Sequence, residues 1–159
     1  MKNTFIVIAI IAVIFLGFFI LKNNQKNNTA NASLLQDTEI TVYKSPTCGC
    51  CGNYVSYLKD QGAKVMIQET EKMNEIKSRY KIPMLLESCH TAIIGDYAVE
   101  GHIPAEAIRK LLDEKPTIAG ISLPEMPAGS PGMGGTKFAP FRIHNITSDG
   151  KDGGIFTEL

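Results

Sequence analysis

The chain has 159 residues, 44% of them apolar and 20% charged, which excludes wholesale disorder and fits one domain of ordinary size. Lys+Arg and Asp+Glu balance at 16 each, yet no acidic residue precedes Ser33, and from there onward 13 basic residues face 16 acidic ones. A weakly acidic domain lacks the electrostatic footprint of a nucleic-acid binder, so nucleic acid is excluded as a partner.

Lys2 is followed by FIVIAIIAVIFLGFFIL, an unbroken apolar or small run of 17 residues from Phe5 to Leu21. That length is at the low end for a membrane-spanning helix, and it exceeds the roughly 7–15 residues of a cleaved signal's apolar core. The following KNNQKNNTANAS is too hydrophilic to pack and reads as a tether. Ala30-Asn31-Ala32 offers a small-x-small cleavage site before Ser33. Lysines on both flanks leave the orientation open. The expected organisation is therefore an export signal or membrane anchor plus tether over 1–32, and one exported domain over 33–159.

Within that domain, Ile40 and Val42 alternate in EITVYK and predict a strand over Glu39–Lys44, stopped by Pro46. A cysteine cluster comes next. Tyr54, Val55 and Leu58 then mark a helix that ends at Gly62, and Ala63–Gln68 forms a second strand. MNEIKSRY predicts a short helix closed by Ile82-Pro83. Ser88–Ile94 and Tyr97–Glu100 read as a hairpin about Gly95-Asp96. Pro104 opens the clearest helix, Ala105–Glu114, with Ile108, Leu111 and Leu112 on one face. SLPEMPAGSPGMGG reads as a loop of defined turns, and FRIHNI and GGIFTEL as a terminal strand pair. This order implies an α/β (or α+β) layer fold with a Pro/Gly-rich loop and a C-terminal β-hairpin. Cysteines where the first strand runs into the first helix, and a proline before the third strand, echo a thioredoxin-like domain.

Three of the four cysteines occupy Thr47-Cys48-Gly49-Cys50-Cys51-Gly52, and the fourth is Cys89, beside His90. An even cysteine count in an exported chain usually marks structural disulfides. Three cysteines within four positions, however, close no long loop, and a 127-residue domain has core enough without staples. Cys48 and Cys51 have the C-x-x-C spacing, at a predicted helix start where free N–H groups and the helix dipole stabilise a thiolate. That placement suits disulfide exchange and metal binding alike. Cys50 favours metal, because a third thiol scrambles a two-sulfur exchange site but adds a ligand to a thiolate cluster.

Copper(I) prefers sulfur donors, and Met126 and Met133, on a glycine-rich loop with little core to fill, extend the supply. Met66, Met73 and Met84 fall in predicted strands or helices and are expected in the core. Zinc is the weaker candidate, since its second ligand pair would be Cys89 with His90. His90 and His102 are candidate ligands or ligand-orienting groups, while His144 lies in the terminal strand and is expected to be structural.

SPTCGCC, ESCHTAIIGDYAVEGHIP and LPEMPAGSPGM, in this order and spacing, resemble the CopG-like family over about Glu39 to Leu159. These are exported thioredoxin-fold proteins associated with copper resistance, otherwise a domain-of-unknown-function family. The resemblance implies a periplasmic copper-binding domain, anchored to the inner membrane or released by cleavage near Ala32. By position, Cys48, Cys50, Cys51 and Cys89 would be the sulfur ligands, joined by candidates His90, His102, Met126 and Met133. Copper ions are then the expected ligand, with copper-resistance or redox proteins as partners. A metal-binding protein that sequesters or converts copper is expected rather than a dedicated enzyme. The alternatives are a thiol–disulfide oxidoreductase, with Cys48 as nucleophile and Cys51 as resolving thiol, and a zinc-stapled interaction module.

Overall fold

In the computed structural model, residues Ser33–Leu159 are described. The apolar run and tether expected over 1–32 lie outside the described residues. Among the described residues, no helix is long and apolar enough to cross a membrane.

The elements in chain order are β1 (Glu39–Lys44), α1 (Gly49–Asp60), β2 (Lys64–Glu69), α2 (Met73–Arg79) and a 3-10 turn (Met84–Leu86). They continue with β3 (His90–Ile94), β4 (Tyr97–Glu100), α3 (Ala105–Glu114), β5 (Gly120–Ser122), β6 (Arg142–Ile146) and β7 (Asp152–Glu158). The strands form one mixed sheet in the order β2-β1-β3-β4-β5-β6-β7. β1 pairs parallel with β2, and β4 with β5, while every other pairing is antiparallel. The fold is thus mixed α/β, and its last two strands are the expected terminal hairpin.

Period-two alternation assigns the two faces of the sheet. On one face Ile40, Val42, Ala92, Ile94, Val99, Ile121 and Ile143 pack with Tyr54, Val55 and Leu58 of α1 and with Ile108 and Leu111 of α3. Each of the fully buried aliphatic side chains contributes roughly 1.5–3 kcal/mol through removal from water. The opposite face holds a smaller cluster of Ile82, Leu86, Ala98 and Ile146. Tyr43 of β1 meets Tyr80, which follows α2, at a centroid distance of 6.1 Å.

Three features differ from the sequence expectation. Residues 120–122, to which the sequence assigns no element before the loop that begins at Ser122, form β5; three residues are too few to establish a period. Met66 and Met84, expected in the core, are 58% and 85% exposed. β2 is an edge strand with little packed over it, and Met84 projects from the turn that follows Pro83.

Candidate metal centre

β1 delivers the chain to Pro46, and α1 begins immediately after Cys48, which is its N-cap residue in extended conformation. No side chain caps this end, and the first turn carries no acidic residue. The first-turn N–H groups and the positive end of the dipole therefore face the sulfurs. Cys48 and Cys51, with Cα atoms 5.4 Å apart, are joined as a disulfide, while Cys50 and Cys89 are free. The bridge closes within one helical turn and ties no distant segments together.

Cys89 arrives from the other side, on the segment that leads into β3. Its carbonyl oxygen lies 3.9 Å from Cys51 Sγ, and Cys48 and Cys50 sulfurs are 3.6 Å apart. All four sulfurs lie within 4.8 Å of one another. Cys89 Sγ is also 3.3 Å from His90 Nδ1 and 3.1 Å from His102 Nε2. It thereby belongs to a second close-set group, Cys89, His90 and His102. Sequence positions 48 to 102 thus converge on one sulfur.

The two imidazoles present different nitrogens. His102 Nδ1 lies 2.6 Å from the carbonyl oxygen of Pro131. A carbonyl only accepts, so the proton sits on Nδ1 and the Nε2 lone pair turns toward Cys89 Sγ. His90 is fully buried, with Nε2 unpartnered, so Nδ1 is the nitrogen that faces the sulfur. Tyr54, from the core face of α1, packs against both rings at centroid distances of 4.6 and 5.3 Å. Its hydroxyl donates to the Ile103 carbonyl at 2.9 Å.

Burial governs the protonation of this half. It lowers His90 to about 3, with the neighbouring His102 and Lys77 acting in the same direction. It lowers His102 too, against the pull of the Pro131 carbonyl. Burial, reinforced by Cys50, pushes the Cys89 thiol up to about 12. The result is two neutral imidazoles beside a thiol that stays protonated until a cation replaces its proton.

The Pro/Gly-rich loop closes over this region. Gly132 has φ +78° and lies so near α1 that a Cβ would stand 2.6 Å from the Tyr54 backbone nitrogen, so no side chain fits there. Its carbonyl accepts from Asn53 Nδ2 at 3.4 Å. The backbone of Met133 follows directly and donates to Ser130 O at 2.9 Å. Met126, by contrast, is 38% exposed in its turn. His144 sits away from the sulfurs, on β6, within 3.1 Å of both Asp152 carboxylate oxygens.

Sequence reasoning passed over four contributors. Tyr54 was legible as core but not as a platform for two imidazoles. Pro131 contributes a backbone oxygen, which carries no residue signature. Lys77 and Glu100 form a buried ion pair behind Cys89, and a pairing across such a separation leaves no local trace.

The fold and site define a small α/β domain that gathers sulfur and imidazole donors at the start of a helix. Residues 86–133 match a family of proteins of unknown function, DUF411. Two solved structures described as copper resistance protein CopG, form 2 and form 1, are similar to this chain with TM-scores of 0.71 and 0.70. Both are 34% identical, and the similarity covers 78% of this chain and 99% and 98% of theirs. No curated sequence matches the chain. The chain belongs to the CopG-like copper-resistance family.

Proposed function

We propose that this protein captures copper as copper(I) on Cys48, Cys50, Cys51 and Cys89, with His90 and His102 beside them, and so limits copper toxicity outside the cytoplasm. The observation that carries this reading is four sulfurs within 4.8 Å of one another. Once the Cys48–Cys51 bridge is reduced they form a soft donor set of the kind copper(I) prefers over harder ligands. Met126 and Met133 extend that set from the loop. The domain is a thioredoxin-like one, exported to the periplasm, with the apolar segment at 5–21 as signal or inner-membrane anchor.

The same sulfurs can convert copper. Two copper(II) ions taking one electron each from the Cys48 and Cys51 thiols give two copper(I) ions, the disulfide and two protons. Conversion would leave Cys50 and Cys89 as the free thiols. The Cys48–Cys51 disulfide also favours a second reading, thiol–disulfide exchange with Cys48 as the attacked sulfur.

An anaerobic titration of the reduced protein with copper(I) against a competing chelator separates the two. Tight binding of more than one copper per chain, falling by at least one equivalent in Cys50→Ser, is the expected result. Weak binding indifferent to Cys50 would overturn copper capture and leave disulfide exchange as the function to assay.

A further inference from the structure

Lys77 and Glu100 are a charged pair that hydrogen-bonds neither to the sulfurs nor to the imidazoles. Both are buried, with side-chain exposures of 6% and 0%. Lys77 reaches from α2 and Glu100 closes β4, so they meet on the face of the sheet opposite Tyr54. Together they occupy both polar groups of one peptide residue. Lys77 Nζ donates to the Ser88 carbonyl at 2.8 Å, and Glu100 Oε1 accepts from the Ser88 backbone N–H at 2.6 Å. Lys77 also pairs directly with Glu100 Oε1, and Thr91 Oγ1 donates to Glu100 Oε2 at 2.6 Å.

Ser88 immediately precedes Cys89. On the far side of Cys89 the chain is held again, because the Gly101 N–H donates to the His90 carbonyl at 3.0 Å. Gly101 has φ +80°, and a Cβ there would stand 2.6 Å from Ser88 Oγ, so the two segments press together at this point. Cys89 therefore lies between two fixed peptide groups, neither of which depends on a metal.

Stability alone is a poor reason for this pair. Desolvating two charges is costly, and well-packed apolar replacements of such pairs are often neutral or stabilising. A charged pair does supply directional grip, because its donors and acceptors match one backbone geometry.

We propose that Lys77 and Glu100 are positioning residues: they clamp the Ser88 peptide from behind the sheet and thereby hold Cys89 Sγ within reach of both the α1 sulfurs and the two imidazoles. The clamp rests on the copper-capture reading for its purpose but not for its geometry. Prepositioning a ligand removes an ordering cost that each metal capture would otherwise carry.

The test pairs the double variant Lys77→Met/Glu100→Met, which leaves no unpaired buried charge, with the milder Thr91→Val. Folding is followed by urea denaturation. The alkylation rate of Cys89 by iodoacetamide in copper-free protein is measured by peptide mass spectrometry, with Cys50 on the same molecule as the internal reference. A folded double variant is expected to alkylate Cys89 at least tenfold faster relative to Cys50 and to bind copper(I) at least tenfold more weakly. Thr91→Val is expected to shift both in the same direction, about threefold. An unchanged Cys89-to-Cys50 ratio in the folded double variant, or in Thr91→Val if the double variant does not fold, overturns the clamp. A faster Cys89 with unaltered copper affinity overturns its link to capture. If the unsubstituted chain binds no copper(I), copper capture fails, and the alkylation ratio still decides the clamp.

Discussion

The two halves of the centre are built by different rules. On the α1 side, Cys48, Cys50 and Cys51 crowd a helix start; Cys48 and Cys50 are partly open to solvent, and two of the three sulfurs are bonded to each other. On the sheet side, Cys89 stands among His90 and His102, both fully buried. Tyr54 packs against those rings, the Pro131 carbonyl fixes one of them, and the Lys77–Glu100 pair grips the peptide behind. The α1 half can change its bonding within one helical turn, whereas rearranging the sheet half would disturb the core. Under the copper-capture reading, an arriving soft ion would meet partly open sulfur on one side and a fixed frame on the other. Open sulfur and buried frame are thus set largely on separate segments, with Cys89 the donor common to both and Tyr54 the frame residue that α1 itself supplies.

Removing that meeting point gives the largest expected effect. Cys89→Ser deletes the single donor common to both groups, so copper(I) affinity should fall at least a hundredfold and binding of more than one ion should be lost. A competition titration measures it, and multi-copper binding that survived would mean the α1 sulfurs suffice. Next in size is the acid response of the buried half. His90 stays neutral when folded down to about 3, although its ordinary value is 6.5. Between those values the unfolded chain binds the additional proton. Stability should therefore fall as pH drops through 6.5, by up to about 1.4 kcal/mol per pH unit, and this loss should level off near pH 3. Urea denaturation of copper-free protein across that window checks it, and His90→Gln should flatten the slope. The smallest effect belongs to a histidine outside both halves. His144→Ala removes one contact that holds the Asp152 carboxyl low, after the Gly154 backbone N–H. Stability should change by no more than about 0.5 kcal/mol, with copper binding untouched. A larger loss of copper affinity would place His144 inside the centre after all.

Much of this arrangement was legible in the residues. The bounds of β1 and α3 fall where alternation and helical spacing put them, because each buries a clean apolar face on a continuous core. The convergence of Cys48, Cys50 and Cys51 is local and needed only the helix start. Cys89, His90 and His102 were singled out by residue type, but their meeting depends on the β3–β4 hairpin register, which sets His90 beside Gly101. Lys77 looked like an ordinary polar position of a short helix, and nothing near it in the chain announces Glu100. Met84 misled for a related reason: an apolar residue beside a proline says nothing about which way a single turn will project. Side chains that act through neighbours close in sequence were readable, and those that act across the sheet were not.

The hold of Pro131 on His102 has a different kind of consequence. The acceptor is a peptide oxygen, and every residue at position 131 would bring one. The contact is therefore encoded in the path of the loop, in its length and in Gly132 lying flat against α1, rather than in a side chain. Point changes at 131 leave the oxygen in place, while an inserted or deleted residue nearby moves it and frees the imidazole to take its other tautomer. For this contact the spacing of the loop is as binding on the centre as the cysteines themselves.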